Sequence, residues 1–89
     1  MKILGVDQAV KAFNAAKPGD AITYFRGGHK SGNRETLYEV CGRLGPQWLD
    51  KSSRACGIRK YTWGLYEANK AHLVCRHHKD GLEYMIVKR

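Results

Sequence analysis

The chain has 89 residues, sixteen Lys plus Arg against eight Asp plus Glu, and a formal charge of +8, with a pI near 9.7. That length is enough for one domain, residues 1–89, and too short for two. At 43% hydrophobic and 27% charged residues the composition is that of a globular protein and not of a low-complexity chain. No stretch approaches the roughly 20 apolar residues of a membrane-spanning helix.

In chain order, "VDQAVKAFNAAKPGD" places Val6, Ala9, Val10, Phe13 and Ala16 on one stripe of a helix. Asp7 is positioned to cap its start and Pro18-Gly19 to end it. "DAITYFRGG" alternates as a strand, with Ile22 and Tyr24 on one face and Thr23 and Phe25 on the other. "GGHKSGN" reads as a flexible loop. "RETLYEVCGRLG" predicts a short helix with Leu37, Val40, Cys41 and Leu44 on one side, broken by Gly45-Pro46.

Residues 46–69 are expected to form a helix-turn-helix unit. Pro46 suits a first helical position, Ser52 or Ser53 a new cap, and Gly57 the turn between two helices. Beyond it, Ile58, Tyr61, Leu65 and Ala68 share one face and Arg59, Lys60, Trp63 and Glu67 the other, with Asn69 as a C-terminal stop. "AHLVCR" and "LEYMIV" then form a hairpin through "HHKDG", where Asp80-Gly81 signals the turn.

The order helix, strand, helix, helix, strand, strand is that of the winged-helix fold. The expected class is therefore α+β and winged-helix-like, a three-helix core with a small antiparallel sheet and a C-terminal hairpin wing. "AITYFRGG" after an Ala-rich helix, with "YEANKAHLVCRHH" and "LEYMIVKR" at the end, resembles small bacteriophage and prophage proteins. In those, a Tyr-x-Arg-Gly strand precedes a helix leading into a hairpin with an aromatic return strand. The resemblance spans roughly residues 9–28 and 60–89. It implies a phage-derived winged-helix protein, a transcriptional regulator acting on DNA.

Charge points the same way. Residues 26–89 hold thirteen of the bases and six of the acids, and an excess that self-repels in a free protein suits a polyanionic partner. Lys51, Arg54, Arg59 and Lys60 lie in "KSSRACGIRK", a segment without an acid. On a recognition helix, Arg59 and Lys60 would meet base edges or phosphates, and Ser52 and Ser53 backbone oxygens. Arg76, His77, His78 and Lys79 form the wing tip, and Arg26, His29, Lys30 and Arg34 extend the footprint. Trp63 shares the polar face with Arg59 and Lys60; burial against the hairpin is the first expectation, with stacking on a base or anchoring a partner protein as the alternatives. The other aromatics, Phe13, Tyr24, Tyr61, Tyr84 and one Trp, are expected in the core.

Metal and catalytic chemistry find little support. His72, Cys75, His77 and His78 lack zinc-finger spacing, and strand alternation divides them between two faces. Cys75 is read as a small core residue. No nucleophile motif and no phosphate-cradling Gly-x₄-Gly-Lys-Ser/Thr run is present, so neither an enzyme nor a cofactor is expected. Three cysteines without a signal peptide point to free thiols and a cytoplasmic protein of a bacterial host cell. Double-stranded DNA is the expected partner, and a homodimer is compatible with that. The alternative is a phage-encoded inhibitor that grips a host defence complex, of anti-CRISPR or anti-restriction type, through the same basic face. Single-stranded RNA is a third partner class, for which Trp63 supplies the exposed aromatic.

Overall fold

Local side-chain chemistry accounts for most element boundaries in the computed structural model, which describes residues 2–30 and 33–89. Strand β1 (Lys2–Ile3) leads into helix α1 (Val6–Ala15). Gly5, and not Asp7, occupies the position before the first helical turn, and its N–H donates to the Gln8 side chain at 3.1 Å. Asp7 falls inside the first turn, where its charge complements the helix dipole. At the other end the Phe13 carbonyl accepts twice, from the Ala16 N–H at 3.2 Å and from Lys88 Nζ at 3.0 Å.

Strand β2 (Ala21–Gly27) does not alternate simply. Its register against the last strand shifts between Thr23 and Phe25, a bulge that buries Tyr24 and Phe25 together. The expected division of those two residues between opposite faces is corrected accordingly. The segment read as a loop instead carries two short paired strands, β3 (His29–Lys30) and β4 (Asn33–Arg34). Ser31 and Gly32 lie outside the described residues, as do the side chains of His29, Lys30, Asn33 and Arg34.

Helix α2 (Leu37–Cys41) is capped by Thr36, whose hydroxyl accepts from the Glu39 N–H. It stops at Gly42, one turn earlier than the apolar spacing predicted, and leaves Leu44 91% exposed instead of on the core face. A 3₁₀ turn (Pro46–Trp48) runs directly into α3 (Leu49–Glu67). This 19-residue helix is continuous through Gly57, so the expected helix-turn-helix within 46–69 is absent. The glycine serves packing: a Cβ there would stand 3.1 Å from the Val6 side chain of α1. Ser52 does not cap a second helix but donates from its hydroxyl to the Cys41 carbonyl at 2.8 Å. Asn69, at φ +62°, ends α3 as predicted.

Strands β5 (Ala71–His78) and β6 (Gly81–Lys88) form the terminal hairpin around Lys79-Asp80, with Gly81 opening β6 at φ +150°. The antiparallel sheet has the order β1-β2-β6-β5, which leaves β5 as one edge. Among the described residues the architecture is α+β, three α-helices and a four-stranded antiparallel sheet beside the small β3–β4 pair. The core gathers Ala9 and Phe13 of α1, Leu37 and Val40 of α2, and Ala55 and Ile58 of α3 over Tyr24, Phe25, Ala71 and Ile86 of the sheet. Phe25, Ile58 and Val40 are its largest fully buried side chains.

Cys41 and Cys56 form a disulfide between α2 and α3. The free-thiol expectation therefore survives only for Cys75, and Cys75 itself is exposed and not a core residue. Along the face of β5 that Cys75 shares with Ala71 and Leu73, cover thins toward the hairpin turn, from buried Ala71 through half-buried Leu73 to exposed Cys75. No helix among the described residues is long and apolar enough to cross a membrane.

Candidate nucleic-acid interface

The basic residues of interest lie on α3 and on the β5–β6 hairpin, two parts of the fold that pack against each other. On α3, Lys51, Arg54, Arg59 and Lys60 are all exposed. At about 100° per residue a continuous helix spreads them around its circumference: Arg59 and Lys60 leave on the side of Trp63, whereas Lys51 and Arg54 leave nearer the helix start. Asp50 and Glu67, at the two ends, are the acids of this helix, and none of the four cations makes an ion pair among the described residues. Two of them rest on aromatic rings. Lys51 Nζ lies 5.4 Å from the centre of the Trp48 ring, which Arg43 also covers at 4.4 Å. The Arg59 guanidinium lies 5.1 Å from the centre of the Tyr38 ring. Arg43 is further tied to the nearly buried Glu35 by an ion pair.

At the hairpin, Arg76, His77 and Lys79 point into solvent. His78 is drawn back instead: its ring Nε2 is 2.8 Å from Glu83, which also accepts from the Thr23 hydroxyl at 2.5 Å. Those two hydrogen bonds, Thr23 first, hold the Glu83 carboxyl below the usual glutamate range. Arg26 pairs with Asp80 at 3.4 Å across the turn, an exposed contact. The Asp80 carboxyl is held low first by a hydrogen bond from its own backbone N–H and then by Arg26. Lys2 stands opposite Arg26 in the β1–β2 register, which adds a cation at this end of the sheet that the sequence reading did not include. Lys30 is placed opposite Asn33 by the β3–β4 pair.

Trp63 is 53% exposed, not covered by the hairpin, and packs at 5.2 Å against Tyr66, which is exposed as well. It forms one wall of a groove of about 510 Å³ that runs between α2, α3 and the sheet. Tyr38, 70% exposed, stands on the same groove, with Leu37, Leu73, Tyr24 and Tyr84 deeper in. Burial pushes the Tyr24 phenol up to about 12, against a smaller opposing effect of the nearby Thr62 side chain. Burial also raises Tyr84, with a further push from the neighbouring Cys75. Sequence reading did not single out Tyr38 or Tyr66. Each lies off the apolar stripe of its helix, and that displacement is the signal that marks it.

No family model, curated protein or solved structure matches the chain. Among the described residues no three His, Cys, Asp or Glu side chains are gathered as a metal site.

Proposed function

We propose that this chain is a winged-helix-like protein that binds double-stranded DNA, acting as a small phage or prophage transcriptional regulator. The observation that carries the reading is the set of exposed α3 cations without carboxylate partners among the described residues, on the helix that leads directly into the basic hairpin. The strand order β2-β6-β5 supports the winged-helix comparison, since the first core strand there pairs with the return strand of the wing. A helix seated in a major groove about 12 Å wide meets phosphates on both walls, so cations spread around α3 suit that seat. Arg59 and Lys60 take the groove, Lys51 and Arg54 the flanking backbone, and Arg76, His77 and Lys79 the phosphates beside the wing.

Fluorescence anisotropy of labelled duplex DNA, titrated at several salt concentrations, tests this. Binding weakens with salt at a log–log slope of about −0.9 per neutralised phosphate. Arg59→Ala with Lys60→Ala lowers the affinity and flattens that slope while the far-ultraviolet circular dichroism stays unchanged. Unchanged affinity in the double variant removes the recognition-helix assignment. A second reading, inhibition of a host defence complex by protein contact, is favoured by the exposed Trp63–Tyr66 pair, aromatic anchors of the kind that dominate protein interfaces. On that reading duplex DNA is not bound even at low salt.

A further inference from the structure

The groove beside Arg59 is more than a gap between helices. Its volume, about 510 Å³, falls within the range of roughly 300–1,000 Å³ of clefts that hold a small ligand. Four aromatic rings line it, those of Tyr24, Tyr38, Trp63 and Tyr84, and the charged groups at its rim are Arg59 and Lys60, with no carboxylate among the lining residues. Trp63 is backed by Tyr66 at 5.2 Å, and Tyr66 does not line the groove. One side of the indole is thus buttressed from outside and another is presented inward. Arg59 is steadied over Tyr38, so a cation and a ring are fixed side by side at the entrance.

Aromatic walls with cations at the rim fit a flat π-system carrying a negative charge. On a chain of net charge +8 whose neighbouring surface is read as a DNA interface, one occupant combines both features. We propose that the groove takes one unpaired base of a DNA strand, stacked on Trp63 with Tyr38 as the facing wall and its phosphate against Arg59 or Lys60. The proposal rests on the DNA-binding reading and extends it from an intact duplex to DNA with a frayed, overhanging or extruded nucleotide. The Thr62 hydroxyl on the floor is already engaged, donating to the Ile58 carbonyl at 2.9 Å, and the rest of the floor is aromatic or apolar. The groove therefore selects for stacking and not for base identity, as aromatic single-strand platforms do.

The test uses the full chain and two hairpin DNAs with the same duplex stem. One is blunt; the other carries a three-nucleotide overhang containing 2-aminopurine, whose emission is quenched when it stacks on an aromatic ring. The overhang DNA binds about fivefold tighter or more, the gain from stacking one base, and its 2-aminopurine dims on binding. Trp63→Leu abolishes the quench and brings the ratio of the two affinities to about one, and Tyr38→Ala lowers the same ratio. Equal affinities with undimmed emission overturn the groove assignment and leave the duplex reading standing. A quench that persists in Trp63→Leu overturns it too. Failure of both DNAs to bind at low salt overturns the DNA reading itself.

Discussion

Gly57 and Gly64 both lie inside α3, and substituting each by alanine separates a continuous helix from the two-helix unit expected of this segment. In a helix interior Gly→Ala gains about 0.8–1.0 kcal/mol, because the unfolded chain loses freedom that the helix does not use. A Cβ on Gly64 meets nothing within 4 Å, so the whole gain appears. For a domain of this size that raises the melting temperature by about 4–8 °C. At Gly57 the same backbone gain is opposed by the Val6 methyl 3.1 Å away, which must yield by a few tenths of an ångström. Gly57→Ala is therefore worth less than Gly64→Ala, and removing the obstacle with Val6→Ala restores the difference. Thermal and urea melts of the four single and double variants read these terms, with the coupling between Val6 and Gly57 as the diagnostic quantity. A Gly57→Ala loss that is as large with Val6→Ala as without it would refute the reasoning, since it would mean that residue 57 needs a backbone conformation closed to alanine.

Replacing Cys41 and Cys56 together by Ala opens a cross-link with a sequence separation of 15. The expected cost is about 3 kcal/mol, read as a fall in urea midpoint that dithiothreitol reproduces in the native chain and does not deepen in the variant. The pH dependence of stability carries the mark of Glu83. Its carboxyl titrates lower in the fold than in the unfolded chain, so its contribution is present above the ordinary glutamate range and is lost as pH falls through the lowered value. Glu83→Gln accordingly flattens the decline in melting temperature between about pH 5 and pH 3, and an unaltered decline would remove Glu83 from that role.

Elements whose cause lies within a few residues were legible in the sequence. The stripe of α1, the stop at Asn69 and the existence of the terminal hairpin follow from local spacing and turn chemistry, although the turn itself is Lys79-Asp80 and not the expected Asp80-Gly81, which puts Gly81 in β6. Gly57 was misread because a glycine that permits a turn and one that permits a close approach look alike until the opposing side chain, Val6, is known. The Cys41–Cys56 bond depends on α2 docking along α3, which no local pattern specifies. Leu44 illustrates the same limit, since the helix that would have buried it ends at Gly42. The groove is still less visible in a linear reading: its walls come from α2, α3 and three strands of the sheet, and the apolar stripes mark Tyr38 and Tyr66 as outliers without saying what they face. The basic character of the surface, by contrast, needed no fold to be seen.

The bulge in β2 has a further bearing on which changes in chain length the protein tolerates. Beyond Tyr24 the strand runs one residue out of phase with its beginning, and that offset brings Gly27 to the two places where backbones crowd most closely. A Cβ on Gly27 would stand 2.2 Å from the Glu35 carbonyl oxygen, and one on Gly81 would stand 1.7 Å from that of Gly27. Deleting the extra residue of 23–25 would leave Arg26 and Gly27 paired with β6 as they are, but would cost the core one of its two adjacent buried aromatics, Tyr24 or Phe25. Insertions at Lys79-Asp80, where the chain turns in solvent, carry no such penalty. Length variants of this protein are therefore expected to accumulate at the hairpin tip and to be purged from the middle of β2, so that spacing between Tyr24 and Gly27 is constrained more tightly than most of the side chains around it.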